Sequence, residues 1–212
     1  MTVGHWDEIY ATRAPSDLGW FEHEPSTLEE VSAAVAAGAR SVIDIGAGAS
    51  RLVDRLLDLG VADITLVDLS IEALEAVADR LAHRGARVEM ISADVTEFDP
   101  DRTWSIWHDR ATFHFLTEKL DRDAYRRALE ESLEPGGRAV IAAFALDGPE
   151  MCAGLPVVRY DANSLAAEFS GLLQCTGCRS HVSAGLGADA RPYVICSFRK
   201  PTDSESDKRQ ES

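Results

Sequence analysis

From residue 40 onward the chain alternates short β-branched runs with longer amphipathic segments, and this alternation limits the available folds more than any other feature. The runs occupy 41–45, 64–67, 88–91, 104–107 and 139–144. After the first run, Leu52, Val53, Leu56 and Leu57 recur at helical spacing up to Gly60; after the second, Ile71, Leu74, Val77, Ala78 and Leu81 do so up to Gly85. A third segment, with Tyr125, Leu129 and Leu133, is expected to stop at Pro135-Gly136-Gly137. Each crossover is long enough to be a helix. The expectation is therefore an α/β fold, a doubly wound, mostly parallel sheet covered on both faces.

The flanks complete one domain over 1–200. Residues 1–39 read as an N-terminal helical cap, in which Ser26-Thr27-Leu28-Glu29 has the form of a capping box, Ser26 serving the N–H of residue 29 and Glu29 reaching back. Residues 40–145 form the core. Residues 146–200 hold a loop with Gly154-Leu155-Pro156, a short helix after Asp161, and two β-rich runs near 172–181 and 193–199 that read as an antiparallel pair. The segment 201–212 has no apolar residue and is expected to be disordered.

Charge and cysteine content narrow the function. Lys and Arg number 21 against 36 Asp and Glu, a net charge of −15, which repels phosphate backbones and argues against a nucleic-acid partner. The longest apolar run, 139–146, is too short for a bilayer span, and the first ten residues lack a basic region followed by an apolar one, so no membrane partner and a cytoplasmic location are expected. Cys175 and Cys178 form a C-x-x-C pair without a second pair at zinc-ligand spacing; they and Cys196 read as buried thiols in a late strand.

The strongest chemical signal is Val42-Ile43-Asp44-Ile45-Gly46-Ala47-Gly48-Ala49-Ser50-Arg51, a strand, a glycine turn and a helix start. Gly46, Ala47 and Gly48 let a ligand approach the backbone, and the helix start offers N–H groups to an anion. A dinucleotide fingerprint requires a third glycine where Arg51 stands, which weakens an NAD reading. Asp44, two residues before the first glycine, is expected to face an ammonium group rather than a pyrophosphate. S-adenosyl-L-methionine carries both the carboxylate and the ammonium that such walls suit. Asp68, some twenty residues after the glycines, is placed to accept both ribose hydroxyls; Asp94 would accept from an adenine amino group, with Leu69 and Val95 on either side of the ring. Ser70 is expected to cap the following helix.

The pattern VIDIGAGAS, LVDLS, SADV, WHDRATFHFL and LEPGGRAVIAAF resembles the class I S-adenosylmethionine-dependent methyltransferases over about 41–144, with Ser50 in place of a third alternate glycine. The resemblance implies a seven-stranded sheet of Rossmann-like methyltransferase type ending in the antiparallel hairpin. The leader His5-Trp6-Asp7-Glu8-Ile9-Tyr10, with Trp20-Phe21 after it, is similar to small members of that class, among them the elongation-factor lysine methyltransferases, which implies cofactor contacts for Trp6, Tyr10 and Trp20. In the family the stretch after the fourth strand faces the transferred methyl, so Asp109 and Arg110 become the active-site candidates, Asp109 also near the cofactor, with His114 a candidate general base. The Asn/Asp-Pro-Pro-Tyr/Phe motif and the Pro-Cys nucleophile of nucleobase methylation do not occur. Arg159 and Tyr160, where the family builds lids, are candidate substrate contacts. The expected activity is methyl transfer to an N, O or S atom of a small molecule rather than of a protein. Lysine methylation, NAD-dependent oxidoreduction and cofactor binding without turnover stand as alternatives.

Overall fold

The computed structural model describes residues 3–85, 87–184, 190–202 and 204–205. Helices α1 (Val3–Thr12) and α2 (Leu28–Ala36) precede strand β1 (Ser41–Ile45). The chain then passes through α3 (Leu52–Asp58), β2 (Asp63–Asp68), α4 (Ile71–Leu81), β3 (Glu89–Ser92), β4 (Trp104–Arg110), α5 (Lys119–Ser132) and β5 (Leu133–Phe144). A two-stranded ribbon, β6 (Met151–Cys152) and β7 (Leu155–Pro156), leads to α6 (Ala162–Glu168), β8 (Gln174–Ala184) and β9 (Ala190–Arg199).

Seven strands form one sheet in the order β3-β2-β1-β4-β5-β9-β8. The first five run parallel, and β9 and β8 close the edge antiparallel. Period-2 alternation splits the apolar side chains between the faces. Ile43, Ile45, Ala139, Ile141 and Ala143 point toward α5 and α6 with Tyr125, Leu129 and Leu165, while Val42, Val140, Ala142 and Phe144 point toward α2, α3 and α4 with Val31, Leu56 and Val77. Because both faces are covered, the central strands read as continuous apolar runs. The order reverses direction at β1 and β4, so a crevice opens at their carboxyl ends.

Several expectations are corrected by long-range contacts. The capping box at Ser26 does not form: the Glu22 carboxylate takes the Ser26 N–H at 2.8 Å, and Thr27, the actual N-cap of α2, gives its hydroxyl to His108 Nε2 at 2.8 Å instead of to its own helix. Ser70 does cap α4, accepting from the Ala73 N–H. Pro135-Gly136-Gly137 does not end a helix; α5 stops at Ser132, and the motif lies inside β5, paired to the end of the chain through Gly136 N to Lys200 O and Lys200 N to Gly137 O.

The register of the terminal hairpin sets Cys178 opposite Cys196, and the two form a disulfide, so they are not the free thiols expected; Cys175 is exposed and Cys152 buried. Most of the segment expected to be disordered lies outside the described residues, but its start is anchored: Glu205 accepts from Arg199 Nη2 at 3.0 Å and from the Thr202 N–H at 2.8 Å. Among the described residues no helix is long and apolar enough to cross a membrane.

Candidate active site

The crevice holds a pocket whose empty space, mouth included, is about 1010 Å³. Its floor is the turn after β1. Gly46 and Gly48 both have positive φ, +61° and +50°. A Cβ on Gly46 would overlap the Thr112 hydroxyl, and one on Gly48 would overlap the Tyr10 hydroxyl. The turn therefore requires glycine twice, for its backbone conformation and for the close approach of two side chains. Position 50 accepts serine because, two residues before α3, its φ is not positive, and its hydroxyl accepts from the Leu52 N–H at 3.1 Å. Arg80 of α4 braces the same turn, donating to Ala49 O at 3.2 Å and to Ser50 O at 2.6 Å.

Asp68, ending β2, clamps this turn to the next strand. Oδ2 accepts from the Gly48 N–H at 2.7 Å and Oδ1 from the Ser70 N–H at 2.8 Å. Burial pushes the carboxyl up to about 6, with Asp44 and Asp7 adding to the rise and the two N–H donors opposing it. Each oxygen retains a lone pair for a further donor. Asp94, after β3, folds back on Thr96, whose N–H and hydroxyl it accepts at 2.9 and 2.7 Å. Leu69 and Val95 line the pocket beside these two carboxylates.

The opposite wall comes from the N-terminal segment. Tyr10 lies over the turn and receives the Trp20 Nε1 hydrogen at 3.2 Å. Trp6 packs edge-on against Trp20 and Phe115, with ring centroids 6.0 and 5.3 Å away. Burial raises the Tyr10 hydroxyl, so it stays protonated at neutral pH.

Of the residues singled out from sequence, Trp6, Tyr10, Trp20, Gly46, Ala47, Gly48, Asp68, Leu69, Asp94, Val95 and Arg110 line this one pocket. Five others are placed elsewhere. Asp44 is buried behind the turn, where its cross-strand neighbour His108 engages Oδ1 at 2.6 Å; with Thr27 on the far ring nitrogen, the three tie β1, β4 and α2 together. Asp109 is fully enclosed and accepts from Thr112 N, Phe113 N and the Tyr125 hydroxyl at 2.9, 3.0 and 2.7 Å, which shapes the loop after β4. Burial carries its carboxyl up to about 6.

His114 is not among the residues that line the pocket. Its ring is fully buried, Nδ1 accepts from the Phe144 N–H at 3.3 Å, and burial, with Arg110 and Arg191 nearby, pushes its pKa down to about 3. Arg159 and Tyr160 anchor the loop rather than face the pocket. Arg159 donates to Gly148 O and Glu150 at 3.2 and 2.9 Å, and Tyr160 is buried against Phe113 with its hydroxyl toward Glu168.

The turn differs from its expected form in another respect. The Ala47 N–H donates to Val67 O, Gly48 to Asp68 and Ser50 to Ala47 O, so these three amides already have acceptors. Unpartnered polar atoms lie instead beyond Arg110. Its Nη1 is buried without a partner, while Nη2 donates to Trp20 O at 2.8 Å and Nε stands 3.5 Å from Glu22 Oε2. Glu22, Cys152 and Thr112 also line the pocket and were not identified from sequence. Glu22 keeps Oε1 buried and unpartnered. Burial pushes the Glu22 carboxyl up, but Arg110 and Ser26 outweigh it and hold it below the ordinary value. Only the His-Glu-Pro-Ser run near Glu22 hints at a structured loop, and nothing local signals its contact with Arg110.

The donor set fits an adenosyl ligand: two carboxylates with open lone pairs at adjacent strand ends, an apolar slot between Leu69 and Val95, and a backbone turn that excludes side chains. Comparison with known proteins agrees. Residues 42–137 match the family described as Methyltransferase domain. The eEF1A lysine and N-terminal methyltransferase of Bos taurus is 25% identical over 154 residues, 68% of this chain and 22% of the relative; its Mus musculus counterpart is 24% identical over 151 residues, with the same shares. The chain thus spans about a fifth of the length of these curated relatives. Among solved structures, one from "Conversion of a Disulfide Bond into a Thioacetal Group during Echinomycin Biosynthesis" superposes with a TM-score of 0.76 at 18% identity, covering 97% of this chain and 94% of the other. The 1,6-didemethyltoxoflavin-N1-methyltransferase of Burkholderia thailandensis, solved with S-adenosylhomocysteine, gives 0.67 at 21% identity over 92% and 81%. These two show the shared fold. Sheet order, glycine turn and matched segment make the chain similar to the class I S-adenosylmethionine-dependent methyltransferases.

Proposed function

We propose that the protein transfers a methyl group from S-adenosylmethionine to an N, O or S atom of a small molecule. The observation that carries this reading is the cover over the pocket: α1 and the segment after it lay Trp6, Tyr10, Leu18, Trp20 and Phe21 across the crevice, leaving a narrow cleft lined by aromatic side chains. When bound, the cofactor supplies an electrophilic methyl on its sulfonium.

The protein's own contribution is binding, orientation and one proton acceptor. Asp68 would accept from ribose hydroxyls and Asp94 from the adenine amino group, with Leu69 and Val95 beside the ring. Trp6, Trp20 and Phe115 exclude water from the reacting end. Glu22, ionised at neutral pH and with Oε1 unpartnered, receives the proton of the acceptor nucleophile. With His114 and Asp109 sealed in the core, positioning supplies most of the rate enhancement.

Lysine methylation is the second reading, favoured by the similarity to the eEF1A methyltransferases and by a net charge of −15 that suits a basic target. Release of S-adenosylhomocysteine measured over parallel panels separates the two. Turnover of small amines, phenols or thiols without transfer to lysine peptides supports the proposal; transfer to the peptides alone overturns it.

A further inference from the structure

Around Arg110 and Glu22, which line the pocket, lies a group of buried polar atoms that the fold leaves unsatisfied. Among the described residues, Arg110 Nη1, Glu22 Oε1, Arg191 Nη1, the Tyr193 hydroxyl and His114 Nε2 are all buried without a hydrogen-bond partner. They belong to one neighbourhood. Arg110 stands beside Glu22, Tyr193 is the cross-strand neighbour of Phe144, whose N–H bonds His114, and His114 feels both Arg110 and Arg191. The Arg191 guanidinium lies against Gly19, where a Cβ would overlap Nη2, and Gly19 stands in the chain between the pocket-lining Leu18 and Trp20.

Each buried donor left unpaired costs about 1–3 kcal/mol, more when charged, so a group able to satisfy several of them at once is favoured here. The charge balance tells what kind of group is missing. Two carboxylates, Glu22 and Asp44, act on Arg110, but Asp44 is engaged by His108, and burial keeps His114 neutral and the Tyr193 hydroxyl and Cys152 thiol protonated. The charged donors left without a partner here are therefore guanidinium hydrogens, on Arg110 Nη1 and Arg191 Nη1.

Its place in the sheet assigns the missing group to the acceptor rather than to the cofactor. The glycine turn, Asp68 and Asp94 follow β1, β2 and β3, one half of the sheet; Arg191 and Tyr193 sit on β9, and Cys152 follows β5, in the other half, with Arg110 on β4 between them. Resting on the methyltransferase reading above, we propose that the methyl acceptor carries a carboxylate, held by Arg110 and Arg191 in the geometry guanidinium groups offer planar anions. A protonated lysine side chain would meet two like charges there.

The test uses matched acids and amides that differ in that charge and cover all three nucleophiles: anthranilate and anthranilamide, salicylate and salicylamide, thiosalicylate and thiosalicylamide. Each is titrated calorimetrically into the protein saturated with S-adenosylhomocysteine. At least one acid is expected to bind about tenfold or more tighter than its amide, the size of one charge-assisted hydrogen bond. Arg191→Gln is expected to remove that preference while leaving S-adenosylhomocysteine affinity within about twofold. Arg191→Lys, which keeps the charge, is expected to restore part of it. Amides that bind as well as their acids throughout overturn the proposal. So does Arg191→Gln weakening the cofactor product by the same factor as the acids, because the guanidinium would then serve the cofactor's own carboxylate. Failure of the wild-type protein to bind S-adenosylhomocysteine at all overturns the underlying site reading instead, so the two failures are distinguishable.

Discussion

Gly48→Ala tests how closely the N-terminal cover fits the cofactor turn. An added Cβ would overlap the Tyr10 hydroxyl and meet Tyr10 Cζ at 3.4 Å, an ordinary contact, so the conflict is with the hydroxyl alone. Two costs combine. A non-glycine residue at φ +50° loses about 1–2 kcal/mol. Displacing the hydroxyl breaks the bond it accepts from Trp20 Nε1, at about 1 kcal/mol. The single variant should therefore lose about 2–3 kcal/mol of stability. In a Tyr10→Phe background the Cβ has room and the bond is already gone, leaving the conformational cost of about 1–2 kcal/mol. Denaturant unfolding of the four proteins of this cycle should give a coupling of about 1 kcal/mol. Gly38→Ala, at φ +108° with nothing within 4 Å, controls for backbone conformation alone. Equal costs of Gly48→Ala in both backgrounds would show that Tyr10 does not rest on the turn.

Glu22→Gln should lower kcat by about 100-fold or more with little change in KM for the cofactor, since it removes the proton acceptor and leaves the adenosyl contacts; an unaltered kcat, read by S-adenosylhomocysteine release, would remove Glu22 from the mechanism. Asp109 gives a pH signature. Its folded pKa of about 6 lies above the ordinary carboxylate value of 3.8, so the native state binds more protons between these values, and its contribution to stability is full below about 4 and lost as pH rises through 6. The difference in unfolding free energy between wild type and Asp109→Asn should shift by roughly 3 kcal/mol at most across that window and be flat above it; a difference independent of pH would contradict the burial argument. Tyr125→Phe, which removes a donor to Asp109 and the acceptor of Trp107 Nε1, should cost about 1–3 kcal/mol in thermal or chemical unfolding.

What could be read from the sequence follows from the range of the interactions involved. The strand, glycine turn and helix at 42–57 rest on local periodicity and backbone preference, and Asp68 and Asp94 follow from the spacing of successive strand ends. Where distant partners decide, local reading fails. Thr27 abandons its helix for His108, 81 residues away. Pro135-Gly136-Gly137 joins a strand because the end of the chain supplies its partners. His108 could have been noticed beside Asp44, since parallel strands of this length place those positions opposite each other. His114 reads as an available base from its type and position, but the apolar face of β5 that buries it, Phe144 above all, lies thirty residues on. Glu22 carries no motif and lies 88 residues before Arg110, so only the folded chain brings the two together.

The central claim is that the glycine turn and the carboxylates at the strand ends hold an adenosyl cofactor, with Asp68 joining the two. Calorimetric titration of S-adenosylhomocysteine into wild type and Asp68→Ala, with thermal unfolding confirming that the variant is folded, measures this directly. The account predicts binding to the wild type and a loss of about 2–3 kcal/mol in the variant, roughly 30- to 150-fold in affinity. Undiminished affinity in the folded variant would contradict it.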